Sequence, residues 1–348
     1  MQGLKLEVIP PPPISRRTLE LGVRYSPEFA CMPLKINIGN FIEALEKGAD
    51  TIVMAGGWGP CRFGLYAPVE RDILNDLGYD CEMVILEAPD SKLAEILKQL
   101  KSLGENVSIP EAYRAIRFAW KKLIAVEELE RKLEYFLPRV NDKRTAEEIY
   151  EKGLADIDRA GNKMEIEYIV ASCRGKWREL PQHNGEILKI GLLGEIYTVL
   201  EPGANYNISR YLGHLNAEVT RSIYASEWIN DHLCGGFIKK SLHKEIIKSA
   251  RPYVNYWVGG HGRETIGHAV DFARKNYDGV IQIGPLTCMP EIVAQAILPR
   301  VSENEGIPSM TLWFDEHAGT AGIYTRLEAF CDMLQRRKQG NSPSLHPA

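Results

Sequence analysis

The sequence predicts an α/β protein: two doubly wound parallel-sheet lobes with a helical insert or connector, and a cleft between the lobes. Three observations predict it. Short apolar runs rich in β-branched residues, such as Thr51-Ile-Val-Met-Ala55, alternate with stretches of helical spacing through short glycine-bearing connections. That is the pattern of a parallel sheet covered on both faces. From Ser91 onward Leu, Ala, Glu, Lys and Arg recur at helical spacing with few breakers, as in amphipathic helices. The strand–helix alternation then resumes near Ile187. The boundaries that follow are 1–90 for a first α/β lobe with an N-terminal arm, 91–185 for the helical connector and 186–348 for a second α/β lobe. A chain of 348 residues is long for one average domain and comfortable for two.

Each element has a local reason. Residues 1 to about 20 read as an irregular arm, because Pro10 to Pro13 sustain neither a helix nor a sheet ladder. Lys35 to Gly48 reads as a helix ended by its glycine, and residues 51–57 as a buried strand. Tyr66 to Leu77 reads as a helix closed by Gly78, and residues 81–89 as the next strand. Beyond the helical middle, residues 186–199 read as a strand with a glycine-bearing exit, and residues 207–219 as a helix leading into another strand. Residues 254–260, 279–287 and 309–316 read as further strands with helices between them. The last helix, Tyr324 to Arg337, carries Leu327, Phe330 and Leu334 on one face.

Composition narrows the classes. The chain is 45% hydrophobic and 25% charged, which allows a full core. Its formal charge of −4 gives no general pull toward nucleic acid or an anionic membrane. No apolar run reaches the ~18 residues that cross a bilayer, and the start lacks the apolar core of a signal peptide. The expected location is the cytoplasm. There, seven cysteines are not expected to form a disulfide framework, which leaves buried small hydrophobes or ligands. Neither Gly191-Leu-Leu-Gly-Glu195 nor Gly259-Gly-His-Gly262 completes a dinucleotide fingerprint, and no phosphate-binding loop of the ATPase type occurs.

Three short stretches carry chemistry: Phe29-Ala-Cys-Met-Pro-Leu-Lys35, Gly56-Gly-Trp-Gly-Pro-Cys-Arg-Phe-Gly64 and Gly284-Pro-Leu-Thr-Cys-Met-Pro-Glu291. Each cysteine sits at a break in the pattern, outside any apolar stripe. Cys61 and Cys288 each follow an apolar strand and a Gly-Pro element, where loops gather at the carboxyl edge of a parallel sheet. Cys31 and Cys288 are both followed by Met-Pro and a helical pattern, which places them at helix N-termini. Free N–H groups and the helix dipole there are expected to lower a thiolate's pKa and to donate hydrogen bonds to cluster sulfur. The absence of any C-x-x-C pair argues against a structural zinc site. Widely separated single cysteines suit an iron–sulfur cluster, with Arg62 as a fixed cation that offsets its charge. Glu195 and His261 are candidate catalytic groups. Glu195 follows a strand where a carboxylate faces a ligand or caps a helix. His261 sits in a glycine turn, as a donor or as a satisfied histidine.

The three motifs resemble those of the 2-hydroxyacyl-CoA dehydratase superfamily, in the branch of activase-related and double-cubane-cluster proteins. The similarity extends through residues 191–208, 256–269 and the tail from Gly284 to Phe330, from about Cys31 to Leu334. It implies a [4Fe–4S] cluster on Cys31, Cys61 and Cys288, with one iron open to water, sulfide or a substrate oxygen. It implies as well a separate ATP-hydrolysing activase with its own iron–sulfur cluster, and a homodimer or a heterodimer with a related subunit. Some relatives hold a double-cubane [8Fe–9S] cluster, which calls for about six thiolates. Cys234 and Cys173, read in loop-like contexts, are candidate extra ligands, whereas Cys81 and Cys331 read as core. The function implied is an iron–sulfur reductase or dehydratase-like component acting on a small substrate. The alternative is a non-catalytic electron-relay or assembly subunit.

Overall fold

Among the described residues, two separate parallel sheets organise the chain. The computed structural model describes residues 3, 5–57, 61–86, 107–232, 239 and 241–340. The first sheet pairs β1 (Thr51–Ala55) with β2 (Glu82–Leu86) in parallel, Thr51 opposite Glu82 and Ala55 opposite Leu86. Around it lie α1 (Arg16–Tyr25), α2 (Met32–Leu45) and α3 (Tyr66–Asp76). The second sheet holds β3 (Leu188–Gly194), β4 (Ala217–Arg221), β5 (Gly279–Pro285) and β6 (Ser309–Phe314), all parallel, in the spatial order β4-β3-β5-β6. From β3 the chain goes to one side to form β4, then returns to the other side for β5. The strand order reverses between β3 and β5, and the carboxyl ends of strands at such a reversal are where α/β sheets bind ligands.

Both faces of the second sheet are covered, and its central strands β3 and β5 are almost wholly buried and mostly apolar. Ile190, Leu192, Ile281 and Ile283 face a core shared with α8 (Ile208–His214), α13 (Thr320–Lys338) and the Met32 and Ile36 side of α2. Leu193 and Val280 face the opposite core, closed by α10 (His243–Ala250), α11 (Gly262–Arg274) and α12 (Met289–Glu305). Two shorter helices, α7 (Ile196–Leu200) and α9 (Ala225–His232), follow β3 and β4. The other side of α2, with Leu34, Ile38 and Ile42, packs with Ile52, Met54 and Leu74 against the first sheet. One helix therefore fills two cores, and each fully buried aliphatic side chain on it contributes about 2 kcal/mol.

The middle is a bundle of α4 (Ile109–Phe136), α5 (Lys143–Arg159) and α6 (Lys163–Glu179). Ser108, Asp142 and Asn162 each accept a backbone N–H bond at the first turns and start these helices. Leu129, Leu133, Phe136, Ile157 and Trp177 form its core. Buried Arg221 at the end of β4 pairs with Glu130 and Glu134 of α4, tying the bundle to the second sheet. Among the described residues no helix is long and apolar enough to cross a membrane.

Three expectations are corrected. The arm is helical from Arg16, because Ser15 and Thr18 form a capping box and Gly22 lets α1 close on the Lys35 carbonyl of α2. Residues 254–260 form no strand. The sheet order leaves them no neighbour, Tyr256 and Trp257 face outward, and Gly259 and Gly260 take positive φ in a turn into α11. Cys173 lies within α6, 5% exposed and packed in the bundle core, so it is no candidate ligand. Cys331 is buried in α13 as expected.

Candidate functional site

All three motif cysteines stand at helix starts. Cys31 is the N-cap of α2, with Pro33 in its first turn. Cys288 is the N-cap of α12, with Pro290 in the matching place. Cys61 caps the short 3-10 turn Arg62–Leu65 that leads into α3. Proline suits these positions because its missing N–H would be unpaired there in any case. None of the three sulfurs is spent on capping its helix. Each is half-buried and free as a thiol.

Arg62 brings the three loops together. Its Nη1 donates to the Phe29 carbonyl at 2.9 Å, two residues before Cys31. Its Nη2 donates to the Thr287 carbonyl at 3.0 Å and to Thr287 Oγ1 at 2.9 Å, next to Cys288. One guanidinium adjoining Cys61 thus holds the approaches to the other two cysteines. Thr287 needs that support, since φ is +73° there and a β-branched residue is strained in the left-handed region.

The surroundings are buried and acidic. Glu195 leaves the end of β3, beside the end of β5 where the Cys288 turn begins. Gly194, at φ +135°, permits that approach, since a Cβ would stand 1.8 Å from the Ile283 carbonyl oxygen. The Glu195 carboxylate caps α7, accepting from the N–H groups of Tyr197 at 3.0 Å and Thr198 at 2.9 Å, and from the Thr198 hydroxyl at 2.9 Å. Burial raises its pKa against those three bonds. The Tyr66 hydroxyl is hydrogen-bonded to Cys31 Sγ.

Burial pushes the Cys31 thiol up, ahead of the Tyr66 bond and the Arg62 charge, which pull it down, and the charges of Glu195 and Cys61, which add to the rise. Burial likewise raises Cys288, with Glu291, Glu195 and Cys61 adding to it. The lowered thiol pKa expected at the starts of α2 and α12 is thus overturned, because desolvation outweighs the dipole. Coordination to a metal reverses that balance, because a coordinating thiol is deprotonated outright.

The other predicted residues fall elsewhere. His261 is half-buried at the start of α11, and its Nε2 accepts from Trp228 Nε1 at 3.2 Å. It stands among His232, His243 and His268, whose charges reinforce burial in lowering its pKa to about 4. Cys234 lies outside the described residues. Cys81 stands just before β2, at the amino edge of a sheet whose carboxyl edge leads to Cys61.

Several residues at the site were missed by sequence reading. Tyr66 offered no signal. Lys35 did, as a single cation in an apolar helical run. It is 3% exposed, donates to the Glu28 carbonyl at 3.2 Å, and pairs with Glu316 beyond β6 at 2.6 Å. Glu291, three residues past Cys288, is buried and receives bonds from Thr265 Oγ1 at 3.0 Å and Gln282 Nε2 at 2.9 Å. Phe29, Leu65, Leu286 and Met289 are exposed next to the cysteine loops, an apolar rim.

No protein-family model matches the chain, and no curated protein matches it in sequence.

Proposed function

We propose that this chain is an iron–sulfur protein of the 2-hydroxyacyl-CoA dehydratase type, holding a [4Fe–4S] cluster on Cys31, Cys61 and Cys288. The observation that carries the proposal is the Arg62 clamp, which fixes the backbone beside all three cysteines of motifs otherwise far apart in sequence. Three free thiols at helix starts, none spent on capping, are a donor set suited to iron and sulfide. Among the described residues these sulfurs do not all lie within 4.8 Å of one another, as ligands of a single ion would. A cubane holds its thiolates farther apart. The burial of Cys173 and Cys331, and the place of Cys81 at the opposite sheet edge, favour one cubane over an [8Fe–9S] pair.

When bound, such a cluster supplies a one-electron redox centre with one iron open to a small substrate. The chain's own residues shape that site. Arg62 sets a fixed positive charge beside the cysteines. The N–H groups at the starts of α2 and α12 favour negative charge. Tyr66 is placed to hold or move a proton beside Cys31, and the capping Glu195 carboxylate adds negative charge nearby. In this reading the two sheets belong to two lobes and the cluster lies in the cleft between them.

The proposed role is that of a reductase or dehydratase-like component fed by a separate ATP-hydrolysing activase. A cluster on three thiolates is strongly anionic and hard to reduce, and each ~59 mV of deficit costs tenfold in a one-electron equilibrium. The test is spectroscopic reduction of the purified protein by a reduced activase with and without ATP. Reduction is expected only with ATP. Equally fast and complete reduction without ATP would make the chain a simple electron relay.

A further inference from the structure

A second set of ligands lies apart from the cysteines. His232 ends α9, His243 begins α10 and Glu264 lies in the first turn of α11, so three helix termini converge. Among the described residues these are the three that bring imidazole, thiol or carboxylate ligand atoms within 4.8 Å of one another. Two details go beyond proximity. His232 Nδ1 lies 3.1 Å from the Trp228 carbonyl, which only accepts, so Nδ1 carries the proton and the Nε2 lone pair is free. Metal-bound histidines are oriented in this way by a carbonyl behind the ring. Glu264 is 12% exposed at its side chain, and its Oε2 is buried with no hydrogen-bond partner among the described residues. A carboxylate in that position is costly unless something answers it.

Hydrogen bonding within the group does not answer it. His243 Nδ1 and Glu264 Oε1 are 4.0 Å apart, beyond the 2.7–3.2 Å of a hydrogen bond. With zinc–nitrogen and zinc–oxygen bonds of about 2.0–2.1 Å, two ligands of one tetrahedral ion stand about 3.3 Å apart. The 4.0 Å gap is within about 1 Å of that separation, so small side-chain adjustments gather all three ligands. The rings of His232 and His243 meet edge to face at 5.2 Å, while Trp228 stacks on His232 at 5.0 Å and fixes its plane. His261 is excluded from the set, since its Nε2 is occupied by Trp228.

We propose that His232, His243 and Glu264 bind a divalent first-row transition-metal ion of the zinc class. Two imidazoles select such an ion over magnesium or calcium, which prefer oxygen. Two histidines and one glutamate form the donor set of zinc sites that keep a fourth position open to water. The ion pins the end of α9 to the starts of α10 and α11. It does not depend on the cluster, although Gly262, which opens α11, packs against the Pro290 carbonyl two residues past Cys288.

Cobalt(II) titration of the purified full chain tests this. One equivalent is expected to give visible ligand-field bands without thiolate-to-cobalt charge transfer. His243→Ala and Glu264→Gln are each expected to weaken binding by at least about 100-fold, with far-ultraviolet circular dichroism unchanged. Should either variant fail to fold, imidazole proton–nitrogen spectra of the wild-type chain under zinc titration decide, with two of its eight histidines expected to shift. Wild-type cobalt affinity in Glu264→Gln, a spectrum of thiolate bands alone, or imidazole signals unmoved by zinc would overturn the proposal.

Discussion

Glu70 shows how a single buried carboxyl sets a pH dependence. It is fully buried on α3, takes one bond from Asn37 Nδ2 at 3.2 Å, and its Oε2 has no partner among the described residues. Burial raises its pKa to about 7, against the Asn37 bond. The folded state therefore holds this proton more tightly than the unfolded chain. Its contribution to stability is fully present below pH 4.5 and is lost as pH rises toward 7. A shift of this size amounts to about 3 kcal/mol. Glu70→Gln is predicted to be more stable than wild type at pH 8, with the difference vanishing near pH 4. Urea unfolding at the two pH values checks it, and equal stability at pH 8 would contradict it. Glu70 is not legible in sequence as a buried acid, because its helix shows other charged residues at similar spacing. The motif cysteines are legible, since each sits beside a proline or glycine where the pattern breaks. The height of their thiol pKa is not, because it depends on burial by segments distant in sequence.

At the scale of elements, α2 does the most. It carries Cys31 at its start, fills two cores and sends Lys35 to Glu316 beyond β6. Breaking that pair leaves a carboxylate that is only partly hydrated. Lys35→Ala is predicted to cost about 3 kcal/mol. Chemical denaturation measures it, and a loss below ~1 kcal/mol would show that solvent at Glu316 replaces the lysine. Most elements of both sheets were legible, because β-branched runs and glycine-closed helices are local signals. The exceptions have local causes too. The apolar run 254–260 imitates a strand, but a strand needs a neighbour and the sheet offers none. The Ala171-Ser-Cys-Arg-Gly175 stretch imitates a loop, but its glycine sits inside a helix whose ends are capped by Asn162 and Leu180.

For the whole molecule, the exposed apolar rim of Phe29, Leu65, Leu286 and Met289 beside the cysteine loops needs a cover. Together with the family resemblance it predicts a dimer, with itself or with a similar chain. Sedimentation velocity at micromolar concentration should show the dimer, and a stable monomer would count against it. What no stretch of sequence revealed is the way Arg62 joins three loops separated by more than two hundred residues, since that contact exists only once both sheets are formed. The central proposal is that those three cysteines hold one cluster. It is tested most directly by iron and sulfide content, with electron paramagnetic resonance of the reduced protein, after anaerobic purification of wild type, Cys288→Ala and Cys173→Ala. Four irons and a cubane signal are expected in wild type and in Cys173→Ala, in keeping with a [4Fe–4S] centre. Loss of most of the iron is expected in Cys288→Ala. Full iron content in Cys288→Ala would contradict it.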